Sequence, residues 1–289
     1  MATGTNIRTY FEGRWHDGDV PIMRAADHGS WLGGTVFDGA RYIHGRAPDL
    51  LAHCRRVNRS ARALMMTPTV SPEDMVEIVR EGLRGYAPDA AVYIRPMYWS
   101  TQGGPSAIMP LDEEIGFCIC LEDIPMIDPA SSVGLTTTRF RRPVLDDNVV
   151  DAKAGCLYPN NARMLAEARA KGFANALVAD AMGNVAEAAT ANVFMVRDGE
   201  VLTPIPNGTF LAGITRARHI ANMRDAGITV TETVLGFDDF READEVFLSG
   251  NLMKVIPVDA FESRSFQIGP VTRRVREMYW DWAASEPAL

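Results

Sequence analysis

Short apolar runs closed by hairpin-type turns recur along this 289-residue chain, and the helical stretches fall between groups of strands, not after every strand. Strands joined by tight turns pair antiparallel, whereas successive parallel strands need a long crossover, usually a helix. The order therefore predicts an α+β architecture and argues against a doubly wound sheet. Thr9 to Asp19 reads as strand and hairpin, with Trp15-His16-Asp17-Gly18-Asp19 as the turn. Further strands are predicted at Ala91–Trp99, Ile115–Leu121, Val133–Phe140, Ala174–Asp180, Ala191–Val196, Ile228–Leu235 and Glu245–Leu248. Met182-Gly183-Asn184 joins Ala174–Asp180 to Ala191–Val196, and Asp198-Gly199 makes a second hairpin.

Helices are marked by three- and four-residue apolar steps. Leu50, Leu51, Cys54, Val57, Ala61 and Leu64 form one such stripe, opposite an arginine-rich face. Ser71 caps a second helix with Pro72 at its first position, running to about Gly85. Others run from Tyr158 to Gly172, from Thr215 to Asp225 and from Pro270 to Trp282. Pro125 to Ser132 breaks both periodicities, so a small N-terminal domain is expected at residues 1–124, a linker at 125–132 and a larger domain at 133–289.

A net charge of −8 with dispersed arginines speaks against a nucleic-acid partner, because phosphate neutralisation needs clustered basic groups. No apolar run reaches membrane-spanning length and the start lacks a signal-peptide core, so a cytoplasmic protein is expected. Cys54, Cys118, Cys120 and Cys156 form no CxxC pair; they read as reduced thiols, and no metal site is expected. His28 and His53 read as packing or capping residues, and Trp31, Tyr98 and Trp99 as core or as apolar pocket lining.

Only three lysines occur among 29 Lys and Arg residues. Unlike Arg, a desolvated lysine can lose its proton and act as nucleophile or base. Lys171 ends a helix before a glycine and reads as a solvated cation; Lys254 is ambiguous. Lys153 lies among alanines and a glycine, where nothing requires a solubilising charge. An aldehyde cofactor such as pyridoxal 5'-phosphate needs that amine, an acid near its pyridine nitrogen, phosphate donors and a substrate pocket. Glu187 is a lone acid among small and apolar residues, Gly213 precedes a helix start suited to a phosphate, and Ser249-Gly250-Asn251 is a second small polar turn.

Taken in order, Val36 to Arg41, Arg56, Tyr93 to Pro96, Lys153-Ala154-Gly155 with Tyr158, Glu187 to Phe194, Gly213 to Arg216, Asp244 to Phe247 and Ser249-Gly250-Asn251 resemble the fold-type IV, or class IV, pyridoxal-phosphate aminotransferases. That family includes branched-chain and D-amino-acid transaminases, and Trp31-Leu32-Gly33, Met97-Tyr98-Trp99 and Lys153 to Asn161 look closest to its subgroup with (R)-selective amine transaminases. The resemblance implies a two-domain fold whose larger domain has a barrel-like β core. Lys153 would form the Schiff base and move the proton, Tyr158 would bond the cofactor's phenolic oxygen, and Glu187 would face the pyridine nitrogen. Arg56, Gly213, Ile214, Thr215, Ser249, Gly250 and Asn251 would hold the phosphate, Asn251 standing where the family has a threonine. Leu32, Phe37, Arg41, Arg95, Tyr98 and Leu252 would line the substrate side; Leu32 replaces a tyrosine usual in branched-chain enzymes, and Arg41 and Arg95 are equally readable as structural salt bridges.

The implied reaction is ping-pong amino transfer from an amino acid or (R)-amine to a 2-oxo acid, in a homodimer or higher homo-oligomer. A lyase resembling aminodeoxychorismate lyase, or a catalytically silent binding protein of the same fold, are the alternatives.

Overall fold

The computed structural model describes residues 4–289, which divide into two compact units. The first takes the chain up to Met126 with Ala152–Cys156 and Glu286–Leu289, and the second takes Ile127–Asp151 and Leu157–Ser285. The division at Met126 falls inside the expected linker, but the Lys153 segment was expected in the larger domain and instead packs with the first unit. Its backbone explains why: Ala154 bridges Val36, and the Lys153 carbonyl accepts from Phe37 N at 3.1 Å.

The first unit contains β1 (Thr5–Phe11), β2 (Arg14–Asp17), α1 (His28–Leu32), β3 (Thr35–Phe37), β4 (Ala40–Tyr42), α2 (Leu50–Ala63), α3 (Pro72–Leu83), β5 (Val92–Ser100) and β6 (Ile115–Asp123). One antiparallel sheet orders these strands β2-β1-β6-β5-β3, with β4 also on β5. The first hairpin turns at Glu12-Gly13, both at positive φ, earlier than the expected Trp15 to Asp19, and Trp15 and His16 are strand residues. The helix α2 buries Leu50, Cys54, Val57 and Ala61, the stripe read from spacing. At the start of α3, Ser71 Oγ accepts from Asp74 N at 3.0 Å, satisfying an amide that has no partner within the helix.

The second unit contains β7 (Val133–Arg141), α4 (Tyr158–Ala170), β8 (Asn175–Ala179), β9 (Val185–Ala188), β10 (Asn192–Arg197), β11 (Glu200–Pro204), α5 (Ile214–Asp225), β12 (Val230–Thr233), α6 (Phe237–Arg241), β13 (Glu245–Gly250), β14 (Lys254–Phe261), β15 (Arg264–Ser265) and α7 (Pro270–Ser285). Its sheet runs β12-β11-β10-β13-β14-β7-β8-β9 and curls into a half-barrel, with β15 added to β14. Pairing is mixed: β7 is parallel to both β8 and β14, and β11 to β12. Asp198 and Gly199 both take positive φ, which matches the strand twist and closes the β10–β11 hairpin. Val193, Met195, Val246, Leu248, Ile256 and Val258 pack one buried cluster, while Phe194 and Phe247 stack at 4.9 Å within another that receives α5 and α7.

Five elements lay outside the sequence reading: α1, β9, which carries Glu187, α6, β14, which begins at Lys254, and β15. All four cysteines are free thiols. No helix among the described residues is long and apolar enough to cross a membrane.

Candidate active site

In the first unit, β3 and α2 position Lys153. Ser60 Oγ accepts from Lys153 N at 3.0 Å, Phe37 N binds its carbonyl, and its Nζ lies 4.9 Å from the centre of the Phe37 ring. The half-buried ammonium therefore meets an aromatic face, a favourable contact for a cation that is also open to a neutral amine. Gly155 lets the segment close onto β3, since a Cβ there would collide with Thr35 Oγ1.

Ser60 lies one turn beyond Arg56 on α2, on the same face. Arg56 is buried, with Nε and Nη2 donating to the two oxygens of Asp38 at 2.6 and 2.8 Å, and His53 Nδ1 lies 2.7 Å from the same carboxylate. Burial alone would raise the Asp38 carboxyl, but the Arg56 charge and hydrogen bond, followed by those of His53, hold it well below the usual carboxylate range. The geometry thus gives Arg56 a buried ion-pair role beside the lysine segment. His53, read as packing or capping, orients Asp38. Asp38 and Ser60 were not singled out from sequence; only their distant partners mark them.

Of the residues assigned to the substrate side, Leu32, Phe37 and Leu252 are partly or well exposed. Tyr98 is a correction: its side chain is fully buried and its hydroxyl donates to Val70 O at 3.3 Å, so it packs the core of the first unit. Trp99 is buried as well, whereas Trp31 is exposed. Arg41 is fully buried, with Nη2 donating to Ile124 O at 2.6 Å and with Nε and Nη1 buried without a hydrogen-bond partner; burial lowers its pKa from the ordinary arginine value. Arg95 pairs with Glu122 and covers the Tyr93 ring at 5.4 Å, the structural salt bridge left open by the sequence.

In the second unit, Glu187 sits on β9 in the sheet, buried at 7% exposure. Arg142 Nη2 lies 2.9 Å from its Oε1, and Asn192 Nδ2 donates to its Oε2 at 3.2 Å. Arg142 also donates to Asn161 Oδ1 at 2.7 Å and to Ala189 O at 3.2 Å, so the buried guanidinium is held in place by neutral acceptors as well as by its carboxylate. The same Asn192 Nδ2 donates to Leu211 O at 3.1 Å, and Asn192 Oδ1 fills the space that a Cβ on Gly213 would need. Asn192 stands opposite Ser249 across the β10–β13 ladder. One asparagine thus ties the Glu187 carboxylate to both glycine-containing turns, Gly213 and Ser249-Gly250-Asn251. Sequence reading placed Asn192 near Glu187 but gave it no role.

Gly213 is the N-cap of α5 and supplies no side-chain cap, so the amides of Ile214 and Thr215 point outward from a positive helix end. Ser249 Oγ and Asn251 Nδ2 are buried with no hydrogen-bond partner in this structure. Uncapped amides and buried donors without acceptors are the chemistry of an anion cradle, and they fit a phosphate group. Tyr158 begins α4, partly exposed, with Pro159 at the first turn.

The class IV amino-transferase family model matches residues 35–261, and the chain belongs to that family. A probable branched-chain-amino-acid aminotransferase of Aquifex aeolicus is 29% identical over 94% of this chain and 91% of that protein. Among solved structures, an aminotransferase from Brucella abortus bound to the co-factor PLP is 56% identical, covers 96% of this chain and 99% of that one, and superposes with a TM-score of 0.95. A branched-chain aminotransferase from Thermoproteus uzoniensis with norvaline is 27% identical over 94% of this chain and 93% of that one, with a TM-score of 0.86.

Proposed function

We propose that this aminotransferase uses pyridoxal 5'-phosphate to move an amino group from a branched-chain L-amino acid or an (R)-primary amine to a 2-oxo acid. The observation that carries the reading is the arrangement around Asn192: a buried, ion-paired Glu187 on one side, and on the other an uncapped helix start with buried donors that lack acceptors. When bound, the cofactor supplies an aldehyde that condenses with amines and a ring that takes up electrons released at the substrate carbon.

Glu187 would face the ring nitrogen, where its negative charge would favour the protonated, electron-withdrawing ring. Arg142 and Asn192 hold the carboxylate in one orientation, so no reorganisation is needed as charge develops. The amides of Ile214 and Thr215, with Ser249 and Asn251, would bind the phosphate. Lys153 would hold the cofactor through its amine and would move the proton to and from the substrate carbon, while Ser60 and Phe37 fix its backbone. The Tyr158 hydroxyl would donate to the phenolic oxygen. The apolar side chains of Leu32, Phe37 and Leu252 favour an apolar donor group. The Aquifex and Thermoproteus relatives, both named as branched-chain enzymes, support the amino-acid half of the proposal.

A donor panel of L-leucine, D-alanine and (R)-1-phenylethylamine, each with pyruvate and 2-oxoglutarate, tests this. Donor loss is expected to match acceptor consumption for L-leucine or the (R)-amine, and Lys153→Ala is expected to lower turnover on the order of a hundredfold or more and abolish the visible cofactor band. Acceptor-independent release of product, or an unchanged band in Lys153→Ala, would sink the proposal.

A further inference from the structure

Lys254 opens β14 at 1% exposure, while Lys153 is half-buried and Lys171 exposed. Its backbone lies in the left-handed region at φ 59°, sparsely populated for any residue with a side chain other than Asn or Asp. A buried ammonium held in that conformation is a demanding choice for a surface-type residue. Its Nζ donates to Asn251 Oδ1 at 2.6 Å and lies 5.2 Å from the centre of the Tyr279 ring, while its carbonyl accepts from His219 Nε2 at 3.2 Å.

We propose that Lys254 is a positioning residue of the phosphate cradle, fixing the Asn251 amide so that Nδ2 donates to the cofactor's phosphate. This rests on the reading of the chain as a pyridoxal-phosphate enzyme. The two ends of a carboxamide are interchangeable in shape but not in chemistry, and an ammonium has three donors and no acceptor. Only Oδ1 can face Lys254. The other end is therefore a donor, and it is buried with no partner, as is Ser249 Oγ two residues earlier. Buried donors without acceptors are costly, so a cluster of them marks a place where an acceptor binds. Ser249 sits across the ladder from Asn192, whose Oδ1 lies against Gly213 at the uncapped start of α5. Ser249, Asn251 and the start of α5 thus supply a hydroxyl, an amide and a helix N-terminus, a set complementary to the dianion of a phosphate monoester, and Lys254 holds the amide in place.

The arrangement also gives a reason for the departure from the family's usual threonine. A threonine hydroxyl rotates to donate wherever an acceptor lies and needs no helper. A carboxamide works there only when its nitrogen end is held forward, and Lys254 does this.

The test is titration of apoprotein with pyridoxal phosphate and, separately, with pyridoxal, which lacks the phosphate, followed by absorbance. Lys254→Met is expected to weaken pyridoxal phosphate about ten- to a hundredfold, the value of a charge-linked hydrogen bond. Its affinity for pyridoxal should stay within about twofold of the parent. With Asn251→Thr already present, the same lysine change should cost less than about threefold, because the hydroxyl no longer needs orienting. Equal weakening of both ligands, or equal weakening with and without Asn251→Thr, would overturn the proposal. Should Lys254→Met not fold, Asn251→Asp serves instead, since it leaves Lys254 a buried partner but removes the donor. Loss of the preference for pyridoxal phosphate over pyridoxal is expected there, and its retention would refute the inference. Parent protein that binds neither ligand would refute the proposed function and this inference with it, whereas parent binding with no variant effect refutes the inference alone.

Discussion

At Asp38, burial and pairing pull in opposite directions. Removing a carboxylate from water raises its pKa, yet Arg56 and His53 at 2.6 to 2.7 Å outweigh that and leave it strongly depressed. A carboxyl whose folded pKa lies below its unfolded value of about 3.9 contributes stability that is full above the unfolded pKa and is lost as pH falls toward the folded one. Melting followed across pH should therefore show the parent losing stability below about pH 4 more steeply than Asp38→Asn. At pH 7 that variant, which leaves Arg56 buried against an uncharged partner, is expected to be about 3–5 kcal/mol less stable by urea titration. Equal acid profiles for the two proteins would show that the pair carries no such linkage. Lys153 and Glu187 stood out in the sequence by type and context alone. Asp38, Ser60, Arg142 and Asn192 did not, because an acid, a hydroxyl or an amide is ordinary until its distant partner is known.

Within the second unit, the helix α5 and the strands β9, β10 and β13 surround Asn192, and one small residue sets their spacing. A Cβ on Gly213 would drive into Asn192 Oδ1, forcing a buried side chain to swing and release Glu187. Gly213→Ala is accordingly predicted to weaken pyridoxal-phosphate binding by about tenfold, one charge-linked hydrogen bond, and to destabilise the apoprotein by about 1–3 kcal/mol as Asn192 gives up its buried partners. Unaltered affinity would mean that Asn192 does not couple the helix to the acid. Most elements of this unit were legible from periodicity and turn chemistry, as α4, α5, β7, β8, β10, β13 and α7 show. The missed ones have physical reasons. β9 is four small or buried residues without alternation, and α6 is five residues long. β14 contains Pro257, which removes a ladder donor and argues against a central strand, yet it pairs with both β13 and β7.

At the scale of the whole chain, ligand binding and folding are linked through mass action. Cofactor that binds only folded protein should stabilise it by about 2.7 kcal/mol at a hundredfold excess over its dissociation constant, read as a rise in melting temperature with added pyridoxal phosphate. No rise would count against the phosphate cradle. The sequence by itself determined the α+β class, the helix stripes and caps and the two residues whose chemistry most needed explaining, Lys153 and Glu187. These follow from local periodicity, turn conformation and side-chain type, which do not depend on distant contacts. Tertiary structure alone decided that the lysine segment belongs with the first unit, that Arg41 and Tyr98 are buried, that Arg56 is ion-paired with Asp38, and that Lys254 is buried against Asn251. The reason is that partners far apart in the chain set these roles, as with Lys153 and Ser60, 93 residues apart, and only the folded backbone brings such groups within bonding distance.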